Sequence, residues 1–492
     1  MFRYQDSQLE LSIPFTQGLL VFVMLFGMGA AFALVVWAFN AWTAQPEWLK
    51  RLQLHPKRGL NSLAWFAIVL SPIWLALLLL TIFNLFGLFA NPPEVTDTDG
   101  ALAYRVHYLA IVGLMTALAG LVGTPLALIR VFTTERQTRT AEQGHITDQI
   151  NKAVENLGAT RTLKDANGNE RHVPNLEVRI GGILALERIS KSSHDDHVQI
   201  MEILCAYIRE NARQQVAQEV ELDDDGIPIN KAYQAITLRD DLVTAFDVID
   251  RRGETLRQIE EAEKFRLNFR YADFRGLNLS ARDLNKADLR WAKMQGADLS
   301  RAKMQGADLR FAEMQGMDLM DAKMQGANLS GAQMQGAHLS WAKMQGAHLI
   351  EAKMQGANLS MAKMQGARPR WAEMQGADLS GAEMQGADLS VAKFDNLTTF
   401  TAATFQGVAV KEVDFTNCSI KPARLAQMFG DASVTWPGGK GPDSDDWPAH
   451  WPKEDLYWHP DESESEFHKA WRAWQDEIGF DRETFTIKHP PK

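Results

Sequence analysis

The sequence predicts a multi-domain chain made of an α-helical membrane anchor, a small α-helical middle region and a long solenoid of stacked coils. Three observations predict it. From Phe269 to about Ile420 the 492-residue chain repeats every five residues, and from Leu289 to Leu389 nearly every ten, with MQG returning at Met294, Met304, Met314 and onward to Met384. The N-terminal third holds three long runs without a charged residue. Between these parts, apolar residues recur at helical spacing.

The five-residue beat excludes the ordinary elements. On an α-helix a step of five residues advances about 500°, or about 140° net, so the repeated Leu and Met would scatter around every side instead of forming a stripe. A strand fails as well, because an odd repeat sends the apolar residue to alternate faces. What remains is a coil that turns a corner every quintet and buries its apolar residues only against the next coil.

Written as quintets, the repeat reads Ala297-Asp298-Leu299-Ser300-Arg301, then Ala302-Lys303-Met304-Gln305-Gly306. This pattern strongly resembles the pentapeptide-repeat family, with Ala two places and Asp or Asn one place before a central Leu or Phe. The resemblance covers roughly a third of the chain. It implies a right-handed quadrilateral β-helix, four quintets to a square turn, with the central residue and the Ala pointing inward. Gly306 and Gly326 then suit corners with unusual backbone angles. Centres from Phe269 to Phe394 make 26 quintets, and a one-residue slip restarts the frame at Phe400 for five more, 31 in all. At about 4.8 Å between stacked strands the rod is roughly 37 Å long. Pro369 stands where Leu is expected and cannot donate a ladder hydrogen bond, which predicts a local defect.

Stacking at twenty-residue intervals sorts the outward residues into columns. Lys303, Lys323, Lys343 and Lys363 form one, changing sign at Glu383, and these four lysines are the candidate binding face. Some members of the resembled family are DNA mimics that inhibit DNA gyrase and carry a strongly acidic rod. Here residues 287–396 hold twelve Lys plus Arg against twelve Asp plus Glu, so the rod is neutral and nucleic-acid mimicry is disfavoured. His338 and His348 sit half a coil apart, on opposite faces, and read as surface residues.

The charge-free runs fit three transmembrane helices at roughly 15–42, 61–89 and 106–129, each long enough for about 30 Å of hydrocarbon. Trp37, Trp42, Trp48 and Tyr108 are candidate interfacial anchors. Ala31-Phe32-Ala33 resembles a signal-peptidase site, but the apolar run continues through it and Arg3 is the only basic residue before it. The first loop carries Lys50, Arg51, Lys57 and Arg58, the second Glu94, Asp97 and Asp99, and Arg130, Arg136 and Arg139 follow the third span. Positive-inside logic places everything after residue 130 in the cytoplasm. The two cysteines, Cys205 and Cys418, both fall in that part and suit a reducing compartment. The spans carry no charged group, which favours an anchor over a transport path.

After the membrane, Ile146, Ile150, Val154 and Leu157 keep helical spacing, a loop turns at Asn167-Gly168, and helices are predicted at 176–189, 198–208 and 238–249, the last with Thr237 and Asp240 as a capping pair. This block resembles the helical region preceding the repeats in membrane-associated bacterial pentapeptide-repeat proteins, and it can cover the open first coil. His194-Asp195-Asp196-His197 reads as a solvated helix start rather than a metal site. The run Glu221–Gly226 reads as a linker, lacking the spacing of a calcium loop. The tail contains Trp436, Trp447, Trp451, Trp458, Trp471 and Trp474, too aromatic for disorder, and is expected to pack over the last coil.

The predicted domains are therefore a membrane anchor at 1–133, a cytoplasmic helical region at 134–266, the β-helix at 267–422 and a Trp-rich tail at 423–492. No nucleophile elbow, Walker loop, dinucleotide fingerprint or zinc spacing is present, and no cofactor or metal is implied. The expected function is that of a membrane-anchored cytoplasmic scaffold or interaction protein without catalysis, multi-pass in a bacterial inner membrane. Its expected partners are the membrane, a protein, and an anionic lipid surface. The alternative is a topoisomerase-interacting DNA mimic.

Overall fold

The computed structural model of the chain describes residues 3–5, 8–10, 59–92, 98–164, 168–215, 237–459, 462 and 465–487. The first predicted span, the basic first loop, Glu94, Asp97 and the acidic run 221–226 lie outside them. The chain divides into two compact units, Met1–His145 and Ile146–Lys492.

In the first unit, the helix Gly59–Ala90 takes in the predicted span 61–89 and contains no charged residue. A second helix, Thr98–Leu157, takes in the span 106–129. Among the described residues one stretch, Arg105–Gly123, is long and apolar enough to cross a membrane, and Trp74–Ala90, the part of the helix Gly59–Ala90 whose side chains are described, is a shorter apolar stretch. Their large side chains face outward: Phe86 is 74% exposed and Leu109 67%. The last turns of Thr98–Leu157 bury Ile150, Ala153 and Leu157, whereas Val154 is exposed. Repeated steps of four residues drift about 40° each from the helical period, which carries Val154 off the buried stripe.

The second unit opens on those last turns, from Ile146, and continues into strands the sequence hides. Thr160–Lys164 pairs antiparallel with Glu170–Pro174 on either side of the expected loop. Neither strand has an apolar face, so no alternation marks them. Helices follow at Leu176–Ser192, His197–Gln215, Asp240–Asp250 and Glu254–Ala262. The first three match predicted helices, but Arg239 rather than Thr237 occupies the N-cap of Asp240–Asp250 and no side chain caps it. The fourth was not predicted; it is short, and Leu256 and Ile259, at i and i+3, are its only large apolar residues. Ile183, Leu186, Ile200, Leu204, Phe246 and Ile249 are fully buried among these helices.

This bundle closes the first coil of the rod. Phe246 meets Phe269 at 6.0 Å and Phe274 at 6.2 Å between ring centroids. A first coil leaves backbone donors without a preceding rung. Asp250 supplies one missing acceptor, taking the Asp283 N–H at 2.8 Å, while Arg282 reaches Asp247 at 2.5 Å and Asp250 at 2.8 Å.

The rod itself is a ladder of parallel bridges between residues twenty apart, from Asn268↔Asp288 upward. Leu309 N–H donates to Asn328 at 2.7 Å and Asn328 N–H donates back to Ala307 at 2.9 Å, a pattern that recurs along the rod and is interrupted at Pro369. Inside, Leu299, Met304, Leu309, Met314 and their Ala neighbours at 297, 302 and 312 are wholly buried, so large and small residues fill the core without a void. Corners adopt left-handed backbone, at φ +66° for Gly306, but also at φ +61° for Trp291 and Trp341. Non-glycine residues there are strained, and the ladder holds them in place, Trp291 N–H donating to Arg310 at 3.1 Å.

Both predicted irregularities are present. At Pro369 the preceding rung, Leu349 N–H to Arg368, stretches to 3.2 Å, and no Arg368–Asp388 bridge forms. The frame slips beyond Phe394, after which bridges run at twenty-one, as in Asp378↔Thr399. Asp395 organises the extra residue, its Oδ1 accepting from the backbone of Gly376, Leu397 and Thr398 at 2.8, 3.0 and 3.0 Å.

Parallel pairing continues to Val408–Ala409 with Met428–Phe429 and to Asp414 with Thr435. Over this end the tail packs Trp436, Trp447 and Trp451 with ring centroids 5.3 to 5.9 Å apart. Lys411, 1% exposed, is held by Asp431 at 2.7 Å. The helix Glu466–Glu477 and the hairpin of Phe480–Asp481 with Thr486–Ile487 then return along the side of the rod. Phe485 lies so close to Gly366 that a Cβ there would be 2.4 Å from its ring.

Candidate interaction surface

The four predicted lysines fall into one column, as the twenty-residue register requires: Lys303, Lys323, Lys343 and Lys363 are successive parallel bridge partners. The column is longer than the lysines, however. Asp283 precedes them and Glu383 follows, with Lys303 Nζ 3.9 Å from Asp283 and Lys363 Nζ 3.7 Å from Glu383. Burial pushes the Asp283 carboxyl upward, but its hydrogen bond to Arg257 and that guanidinium's charge hold it below the usual carboxylate range. Carboxylates thus engage both ends. Lys323 and Lys343, half-buried along their stems, make no ion pair among the described residues. Free positive charge is concentrated at these two.

A second surface, at the corner after each inward Leu, was not singled out from sequence. Tyr271, Trp291 and Phe311 form an exposed column there, 66%, 46% and 40% accessible. Trp291 and Phe311 stack at 4.5 Å, and Phe311 lies over Gly331. Arg270 sits over Tyr271, and Arg310 is clamped by Asp308 at 2.7 Å. A signal existed: MQG barely changes between decads, whereas this corner runs Trp291, Phe311, Gly331, Glu351 and Trp371.

His338 and His348 lie in separate columns, bridging Asp318 and Asn328 respectively. His197 is not solvated, contrary to the reading of 194–197. It is fully buried, with Nδ1 2.6 Å from the Ser190 hydroxyl and Nε2 donating to Glu260 at 2.9 Å. Burial raises the Glu260 pKa, and the His197 hydrogen bond and Arg252 more than reverse it. The short helix that carries Glu260 was not predicted from sequence, so this partner was missed. Cys205 and Cys418 are both buried, which pushes their thiols up to about 12 and about 11, and neither is a nucleophile at neutral pH. Among the described residues no group of His, Cys, Asp and Glu is arranged to hold a metal ion. The surface offers charge ladders and flat aromatic edges.

Such twenty-residue coils, parallel-bridged on every side with left-handed corners, define a four-sided β-solenoid. The repeat region belongs to the pentapeptide-repeat family: the family model for pentapeptide repeats matches in eight copies, over residues 266–301, 302–340, 332–368 and 372–417. The family's fold is the right-handed β-helix. No curated protein matches the chain. Among solved structures, the chain is similar to HetL, a pentapeptide repeat protein involved in heterocyst differentiation regulation from the cyanobacterium Nostoc, at 26% identity and TM-score 0.28 over 35% of this chain and 76% of that one. It is also similar to a pentapeptide repeat protein, Rfr23, from the cyanobacterium Cyanothece, at 32% identity and TM-score 0.19 over 19% of this chain and 63% of that one. A third is QnrB1, a plasmid-mediated fluoroquinolone resistance protein, at 17% identity and TM-score 0.23 over 34% and 78%.

Proposed function

We propose that this chain is a membrane-anchored, non-catalytic scaffold whose rod presents charge ladders to an anionic surface or an acidic protein partner. The observation that carries this reading is the in-register lysine column, with Lys323 and Lys343 making no ion pair among the described residues on a continuously bonded wall. The outward-facing apolar side chains of Trp74–Ala90 and Arg105–Gly123 support an anchor in the bilayer. The loop charges support a three-span arrangement with the rod in the cytoplasm of a bacterial cell. The balanced charge of the rod opposes duplex mimicry.

Two tests follow from this reading. Reporter fusions after residue 140 are expected to behave as cytoplasmic and fusions near Asp97 as external; the reverse pattern overturns the orientation. For the column, each lysine near an anionic bilayer is worth about 1 kcal/mol. Replacing Lys303, Lys323, Lys343 and Lys363 by Gln in the compact unit 146–492 should therefore weaken sedimentation with anionic vesicles about tenfold or more at low salt. The double change at Lys323 and Lys343 should produce most of that loss. Binding that is absent, or equal in wild type and variant, removes the column from the function.

A further inference from the structure

The rod and the returning tail flank a cleft of about 400 Å³ lined by four arginines. Arg368 and Arg370 line it from the rod, Arg472 and Arg482 from the tail, and among the described residues Asp388 is the single carboxylate in the lining. That carboxylate is already engaged. Arg370 Nε donates to it at 2.6 Å, and Ser390 supplies a backbone N–H at 3.1 Å and a hydroxyl at 2.6 Å. Arg482 is steadied by Asp476, 2.6 Å away and outside the lining, and by Gln475 at 2.8 Å. Arg368 is exposed and makes no ion pair among the described residues. The opposite character comes from Trp471 and Phe485, half-exposed rings in the same lining. Trp471 is fixed in place, its Nε1–H donating to Gly407 at 2.9 Å.

The sequence of the rod points to the same place independently. Position 368 follows Asp288, Asp308, Asn328 and His348 in its column and precedes Asp388, and it alone carries Arg. Within the same quintet Pro369 replaces the inward Leu and interrupts the ladder. Breaks in a regular pattern are expected at functional or strained sites, and the break at Pro369 lies on the coil on which the cleft is built.

We propose that the cleft binds a nucleotide. Guanidinium forks match phosphate oxygens in pairs, and a ring attached to those phosphates would find Trp471 or Phe485 to lie against. The volume falls within the range of small-molecule sites, about 300–1,000 Å³. The proposal is independent of the lysine column and of the membrane anchor.

Calorimetric titration of the full chain in detergent tests it with adenosine triphosphate, inorganic triphosphate and adenosine as probes. Adenosine triphosphate should bind, inorganic triphosphate at least fivefold more weakly, and adenosine not measurably. Arg368→Gln should weaken adenosine triphosphate at least tenfold without disturbing the fold, because only the Arg368 backbone enters the ladder. Arg301→Gln, at a corner of a different coil, should change nothing. Absence of binding at millimolar nucleotide, or binding indifferent to Arg368→Gln, overturns the site. Equal affinity for nucleotide and inorganic triphosphate overturns the part assigned to the rings.

Discussion

Leu329→Lys is expected to cost at least about 4 kcal/mol, because an ammonium placed in the rod's interior has no partner and no route to water. Leu329 is 0% exposed, and it sits between the equally buried Leu309 and Leu349. Its backbone N–H also belongs to the ladder, donating to His348 at 2.7 Å, so the side chain cannot escape without breaking a rung. In a solenoid each coil touches only its neighbours, and one broken coil divides the rod into two shorter, weaker stacks. Urea unfolding of residues 146–492 followed by circular dichroism should show a lower midpoint and a loss of the single transition. Lys323→Ala, outward in an adjacent column, should stay within about 0.5 kcal/mol of wild type. Similar costs at the two positions would mean that inward and outward phases are misassigned.

That contrast rests on what a one-dimensional repeat makes legible. The phase of Leu and Met, the columns, the weak rung at Pro369 and the frame slip all follow from counting, and the structure reproduces them. Reach and return do not follow from counting. The ion pairs closing the lysine column depend on how far Lys303 and Lys363 extend toward Asp283 and Glu383. The burial of His197 depends on Glu260, sixty-three residues away on a separate helix of nine residues. The arginine cleft is the extreme case. Arg368 was visible as an oddity in its column, but Arg472 and Arg482 meet it only because the tail folds back about a hundred residues later. The tryptophans announced that the tail would pack, and only tertiary structure says where.

The joint between tail and rod should itself depend on pH through Asp388, which is 2% exposed. Burial alone would raise its pKa; His468 at 3.8 Å, the charge of Arg370 and the two Ser390 donors instead hold it at about 2, against 3.8 for an ordinary Asp. The folded-state value is depressed, so the associated stability is fully present above the unfolded pKa and is lost as pH falls through the folded one. The shift corresponds to about 2 kcal/mol, complete above about pH 5 and mostly gone by pH 2. Asp388→Asn keeps the shape but removes the carboxylate charge beside Arg370, whose Nε donates to Asp388 at 2.6 Å and whose side chain is largely buried at 13% exposure. Breaking such a pair costs about 3 kcal/mol at neutral pH. The variant should therefore unfold at lower urea than wild type at pH 7, and the gap should narrow by about 1 kcal/mol at pH 3, where wild type begins to lose the same charge. Tryptophan fluorescence is the appropriate readout, since Trp471 shares the cleft with Asp388 and would report the tail leaving the rod. A gap that stays constant from pH 7 to pH 3 would mean that the Asp388 charge does not hold the tail in place.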